Sequence, residues 1–443
     1  MPLYAGVCET CITPPPGVWM CGYAFRPSGC TAVHDELFAR ALVLTNGHAA
    51  LAILAMDLLG LDFELAGQIR GRIAKETGIA EGAILLNASH THGGPNTGRL
   101  NAMGSRDPAY IDVLVRKLVG AARQAADRVV PASLEYGRAS VQLGVNRREV
   151  VDGVARIGRC LSGPVMPWVD TLAVVDSRGA PFALLFSHAC HPTTLGGENL
   201  QITADFPGVA CRHIQRETEG AVMPFFLQGC SGNINPSPRG SFEDAARHGL
   251  TLGAAALEAL EDSAPLEGDA LGWDEALAVL PLLPPPPAAH CEAAIEELRR
   301  QVEEERARGD QGRILHAEGL LAYAEYERAI SVQDSPVLEF ALPIQMLALG
   351  DARVLGFPAE MFVQYALDLD ARTIGPLMSL GCTNGVLGYI PTAADYPFGG
   401  YEVDRAHRYY GTLMPAPESE RAIRQTAYGL LGIDARDWTP LPM

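Results

Sequence analysis

The sequence predicts an α/β fold. It should have a mixed β-sheet core with surrounding helices, an active site at the C-terminal ends of strands, and a helical hairpin inserted near 290–331. Three observations predict it. Apolar, β-rich runs alternate with helical patterns along most of the chain. Several runs exit into short loops that combine Gly or Pro with His, Glu, Tyr or Asn. A charged stretch of helical periodicity, set off by four prolines at 284–287, interrupts the alternation.

The elements follow in order. The run AALAILAMD, 49–57, reads as a strand. FELAGQIRGRIAKETG, 63–78, is an amphipathic helix closed by Gly78. AILLNAS, 83–89, is a strand, and 108–129 is a long helix. The segment 171–187 reads as two strands around a turn at SRGA. A helix near 207–218, a strand at 221–228 and a helix near 241–262 come next. Beyond the prolines, Ile295, Leu298 and Val302 repeat at helical spacing, Gly309 and Asp310 break the run, and Leu315, Leu320, Ala324 and Ile330 resume it. That predicts an antiparallel helical hairpin with a charged outer face, a surface insertion that holds no site residue. Strands return at 337–356 around a turn at LGDAR.

Composition bounds the partners. The chain has 443 residues, 48% of them hydrophobic, and is read as one domain over 1–443. Its net charge of −18 disfavours nucleic acid and stable anchoring on an anionic membrane. No signal segment and no long apolar span is visible. Ten scattered cysteines are expected to be free thiols in a cytoplasmic protein. The lone C-x-x-C of Cys8 and Cys11 is read as packing. A homo-oligomer is compatible with all of this.

The strand exits carry the chemistry. After 83–89 come His90 and His92; after 181–187 come His188 and His191; after 221–228 comes GCSGNINPSP. Glu360 lies in FPAEMF, and Tyr389 and Tyr401 lie in GYIPTAADYPFGGYE. Two imidazoles and a carboxylate are a familiar zinc donor set that leaves a position for water. His90 and His92 flank Thr91, so in extended chain both face one way; one can bind metal while the other faces substrate. His34, His48, His213, His248, His290, His316 and His407 lack this context and are read as surface or structural. GCSGN is similar to a nucleophile elbow, but Asn233 stands where the second glycine belongs, and no pattern supplies Ser231 or Cys230 with a base. Asp57 and Asp205 are candidates to orient a ligand histidine, Asp205 being equally readable as a helix N-cap before Pro207.

Taken together, the motifs resemble the neutral/alkaline (non-lysosomal) ceramidase family. AGVCETCITPPPGVWMCGY resembles its opening, SHTHGGP its T-H-T-H-S-G-P, VNRRE its N-R-S-P, ACHPTTL its V-H-P-T-S-M and FPAEMF its P-G-E-F. Tyr389 and Tyr401 reproduce the spacing of a tyrosine followed by a second tyrosine and a glutamate. The resemblance implies zinc (Zn2+) held by His90, His191, Glu360 and Tyr389. It implies that His92, Arg147 and Tyr401 line the substrate amide. It departs at GNINP, where Asn235 stands in place of the family's active-site serine. His92, Tyr401 and the Asn235 amide are candidate donors to a developing oxyanion. Arg147 either holds a polarised oxygen or carboxylate, or pairs with an acid.

The chain is also expected to be a short member that lacks the C-terminal immunoglobulin-like domain of longer ones. The expectation is a zinc-dependent, cytoplasmic amidohydrolase, ceramidase-like but acting on a small-molecule N-acyl substrate smaller or more polar than ceramide. A zinc lactonase or esterase on the same scaffold, and a non-catalytic zinc-binding homologue, are the alternatives.

Overall fold

The computed structural model describes residues 2–434 and 439–443. Its main sheet has nine strands. In spatial order eight of them are Met223–Gln228, Pro181–His188, Trp168–Asp176, Val130–Ser140, Leu3–Cys11, Phe38–Thr45, Ala50–Met56 and Ile84–Ala88. The short Ala264–Pro265 pairs beside Val130–Ser140. The middle of the sheet is antiparallel. Only the two end pairs are parallel, Ala50–Met56 with Ile84–Ala88 and Pro181–His188 with Met223–Gln228. Each parallel pair is bridged by a helix, Phe63–Thr77 in one and Asp205–Glu217 in the other. The sheet is thus an antiparallel centre flanked by two βαβ units.

Local signals set the element ends. The Asp62 carboxylate accepts from Leu65 N and caps Phe63–Thr77, and Gly78 ends it at φ 77°. Asp107 caps the helix Pro108–Ala126, with proline in its first turn. Ser241 caps Phe242–Glu261.

A second sheet of four strands joins Leu271–Pro281, Glu339–Leu349, Ala352–Gly356 and Leu377–Leu380. The last two run parallel across the helix Val363–Arg372. Its exit contains Glu360–Met361, which pairs in parallel with Tyr389–Ile390 and sets Glu360 opposite Tyr389. A third, three-stranded sheet holds Ile234–Pro236, Gly144–Val151 and Val154–Cys160. The last two close on a tight turn in which Asp152 and Gly153 both have positive φ, 53° and 80°. The sequence reading left 130–160 and 264–281 without strands. They are mixed, half-exposed segments that lack a continuous apolar run.

Asn87 locks the two ends of the main sheet together. Its side-chain oxygen accepts from Gln228 N at 2.7 Å, and its nitrogen donates to Gly381 O at 2.8 Å. The exits of both βαβ units and of the second sheet therefore converge on one place.

The helical hairpin forms as Ala288–Arg308 and Gln311–Ser331, turning at Gly309 (φ 78°) with Asp310 as N-cap. It is not a free surface appendage. A Cβ at Gly312 would lie 2.4 Å from Phe25 O, and one at Gly319 would lie 2.4 Å from Ala102 N. Glycine at both positions lets the second helix press on the loops around the exits.

Cys8 and Cys11 lie on one strand, three residues apart. They face opposite sides and cannot hold one ion together.

Candidate active site

At the convergence point four side chains meet. His90 follows its strand in a left-handed conformation, φ 66°. Its Nδ1 lies 2.7 Å from Leu59 O, and His191 Nδ1 lies 2.6 Å from Ser231 O. A carbonyl only accepts, so each Nδ1 carries a proton and each Nε2 is turned toward Glu360, as a lone pair whenever the ring is neutral. Glu360 Oε2 lies 2.9 Å from His191 Nε2 and 3.2 Å from His90 Nε2. Tyr389 OH lies 3.4 Å from His191 Nε2. The other Glu360 oxygen accepts from Tyr410 OH.

This constellation is rich in acceptors. Burial opposes charge on Glu360, yet His90 and His191 hold its carboxyl well below the usual range. Burial and the Arg147 charge push His191 down to about 4. Against burial, the Cys382 sulfur and Glu360 favour positive charge on His90 and hold its pKa well above the usual value. A neutral ring nitrogen facing a buried carboxylate is repulsive unless a proton or a metal cation sits between them.

His92 joins the group. The ring nitrogens of His90, His92 and His191 lie within 4.8 Å of one another. Neither His92 nitrogen has a hydrogen-bond partner among the described residues, and neither does His90 Nε2. Burial and the neighbouring imidazoles hold His92 well below its usual pKa, so it is neutral. These orphaned donors fit a soft-to-borderline divalent ion such as zinc, with His90, His191, Glu360 and Tyr389 close enough to share it.

Arg147 stands beside the cluster, its guanidinium carbon 5.2 Å from the Tyr389 ring centre. It pairs with an acid: Nε donates to Glu402 at 2.7 Å. Nη1 donates to Asn235 Oδ1 at 3.1 Å, and Nη2 is buried without a partner. Glu402 also takes Arg148 Nη1 at 2.8 Å, while Arg148 Nε reaches Asp395 at 3.1 Å. Tyr401 packs on Tyr389 with ring centres 5.7 Å apart. The structure thus brings together all eight residues expected at the site.

Other expectations are corrected. Neither Asp57 nor Asp205 touches a histidine. Asp57 accepts from Phe38 N at 2.8 Å and lies by Arg40. Asp205 is not the N-cap, which is Ala204; its carboxylate accepts from Thr194 N at 2.9 Å and Phe206 N at 2.6 Å. Backbone carbonyls orient His90 and His191 instead. His188 stands outside the cluster, with Nδ1 2.8 Å from Trp168 O. Ser231 contributes its carbonyl to His191, and its hydroxyl is held by Gln228. Burial pushes the Cys230 thiol far up, so it is no nucleophile.

Two participants escaped the sequence reading. Tyr410, in RYYG, carries no local signal. Glu402 sits in the quoted YE pair, which was the available clue.

A cavity of about 330 Å3 opens beside His90 and Tyr410. Its walls are mostly apolar, with Leu59, Leu61, Phe63, Phe340 and Leu387. Tyr326, from the hairpin expected to lie outside the site, also lines it.

Comparison with known proteins places this geometry. A neutral ceramidase from Pseudomonas aeruginosa is 22% identical over 467 aligned positions, covering 92% of this chain and 68% of its own. The crystal structure of neutral ceramidase from Pseudomonas aeruginosa superposes with a TM-score of 0.73 at 18% identity, over 100% of this chain and 77% of that one. A ceramidase complexed with C2 gives the same values. At that identity the superpositions establish the fold, a mixed α/β architecture. The family profile "Neutral/alkaline non-lysosomal ceramidase, N-terminal" matches residues 4–248, more than half of the sequence. The chain belongs to the neutral/alkaline non-lysosomal ceramidase family, a family of amide-bond hydrolases.

Proposed function

We propose that this protein is a zinc-dependent amidohydrolase that cleaves an N-acyl bond in a substrate smaller or more polar than ceramide. The observation that carries the reading is the lone-pair cluster of His90, His191 and Glu360 beside an apolar cavity. His90, His191, Glu360 and Tyr389 would hold the ion. When bound, zinc supplies a Lewis acid and brings the pKa of water from 15.7 to about 7.

The chain supplies the rest. Hydrolysis breaks the C–N bond, gives the water oxygen to the acyl carbon and delivers a proton to the leaving nitrogen. Neutral His92, with both nitrogens unpartnered, is placed to carry that proton. Arg147, fixed through Nε by Glu402, keeps Nη2 free as a donor to the amide oxygen. Tyr401 adds a hydroxyl beside Tyr389. Asn235 holds the second nitrogen of Arg147 in place.

Cavity size supports the substrate class. At about 330 Å3 it lies at the lower end of ligand pockets, which run from about 300 to 1,000 Å3, and suits one modest acyl chain better than two long ones. No described helix is long and apolar enough to cross a membrane. We also place the protein in the cytoplasm, since all ten cysteines are unpaired thiols.

The test is metal analysis of the purified protein followed by assays of amine release from N-acyl amides and detergent-solubilised ceramide and of acid release from esters and lactones. The reading expects about one zinc per chain and the highest kcat/KM on a short N-acyl amide. Preference for an ester or lactone, or for ceramide, would overturn the respective part.

A further inference from the structure

A second cavity, about 380 Å3, has a different chemistry. Its walls include Asn235, Ser237 and Arg239 from one segment, and Ile157 and Arg159 from the strand Val154–Cys160. Asn235 is only 5% exposed. Its Oδ1 is occupied by Arg147 Nη1 and by the Thr193 hydroxyl, while its amide nitrogen has no partner among the described residues. That nitrogen, on a nearly buried residue, is an open donor at the cavity wall.

The two arginines matter because of their setting. The chain carries a net charge of −18, yet neither Arg159 nor Arg239 pairs with an acid among the described residues. Glu149 is close by, but it accepts from the Arg159 backbone nitrogen at 3.4 Å and lies over Gly158. The charge of Arg239 is also felt at Tyr23, beside the reaction centre. Burial pushes the Tyr23 hydroxyl up to about 12, and Arg239 is the foremost charge opposing that shift. Tyr23 in turn packs on His92, ring centres 4.9 Å apart. Asn235 is one hydrogen bond from Arg147, which lies over the ring of Tyr389.

We propose that this cavity is the subsite for a carboxylate on the amine side of the scissile bond, so that the substrate is an N-acylated amino acid; this rests on the amidohydrolase reading above. The acyl chain would occupy the apolar cavity beside His90. The carboxylate would reach the Asn235 amide and the guanidinium groups of Arg159 and Arg239 across Arg147. Guanidinium suits a carboxylate because its forked donors match the two oxygens. The same chemistry would take free phosphate, so the test separates the two.

Calorimetry on the zinc-loaded, full-length protein would compare N-hexanesulfonyl-glycine, which resists hydrolysis, with its uncharged N-methylamide. The carboxylate should bind about fivefold to tenfold tighter at low ionic strength, as expected for two exposed charges acting together. Arg159→Gln combined with Arg239→Gln should bring the ratio close to one, as should about 0.5 M salt. Equal binding of the two compounds, or a preference that survives the double substitution, would overturn the proposal. So would inorganic phosphate that binds through the arginines without competing with the sulfonyl-glycine, since the cavity would then serve a free anion. A retained carboxylate preference in a protein that releases no amine would sink the amidohydrolase reading and leave the subsite standing.

Discussion

His191 Nε2 and Glu360 Oε2 lie 2.9 Å apart across 169 residues of sequence, inside the protein, with His191 held neutral by burial. A neutral imidazole lone pair and a carboxylate oxygen at that distance call for a cation between them. His191→Ala removes one of the imidazoles proposed to hold the ion. Elemental analysis should find zinc reduced from about one per chain to a small fraction of that, with the folded circular dichroism spectrum retained. Full zinc retention would refute the assignment.

Arg147 offers a separate test because it would not hold the ion. Arg147→Lys keeps the charge but loses the planar fork that spans Glu402 and Asn235. Amide hydrolysis should fall about 10²–10³-fold, as on removing an oxyanion donor, with zinc content unchanged. An unaffected kcat would show that Arg147 serves only the ion pair.

Glu402 compensates two buried guanidinium groups, Arg147 and Arg148. Glu402→Gln leaves both short of charge, at a cost of about 3–5 kcal/mol. Urea unfolding of the substituted and parent proteins reads this directly. A shift under about 1 kcal/mol would mean that water or Asp395 takes over.

Part of the acid sensitivity should be traceable to His188, which lies outside the cluster. Burial lowers its pKa from 6.5 to about 4. The unfolded chain then binds more protons between those values, so stability is present above about 6.5 and lost as pH falls toward 4. The shift corresponds to about 3 kcal/mol. His188→Gln should flatten the pH dependence of urea unfolding in that window without changing zinc content. An unchanged slope would move the acid sensitivity elsewhere.

The hairpin should tune the substrate without holding the ion. Tyr326→Ala enlarges the cavity beside His90 and should shift the preferred acyl length upward, with zinc retained. Gly319→Val drives a side chain at the backbone of Ala102 and should cost about 1–3 kcal/mol. Loss of zinc from a folded Tyr326→Ala protein would show that this helix supports the site itself.

The sequence alone determined what depends on a few neighbouring residues. Apolar runs and the closing Gly78 marked the long helices and part of the strands, because side-chain periodicity reports which face is buried. Strand exits rich in Gly and Pro marked His90, His92, His188, His191, Glu360, Tyr389 and Tyr401 as candidates, and the family resemblance narrowed the metal set to His90, His191, Glu360 and Tyr389. The Asp152–Gly153 turn was also written in the sequence and passed unread, its flanking strands being too exposed to stand out.

Tertiary structure decided what lies between distant segments. Asn87 joining the two ends of the main sheet, Tyr410 reaching Glu360, Leu59 and Ser231 orienting the histidines, and Tyr326 entering the cavity have no local signature. The physical reason is that periodicity specifies a buried face but not its partner. Which strand exits meet is fixed only when sheet edges, helices and backbone carbonyls satisfy one another across the whole chain.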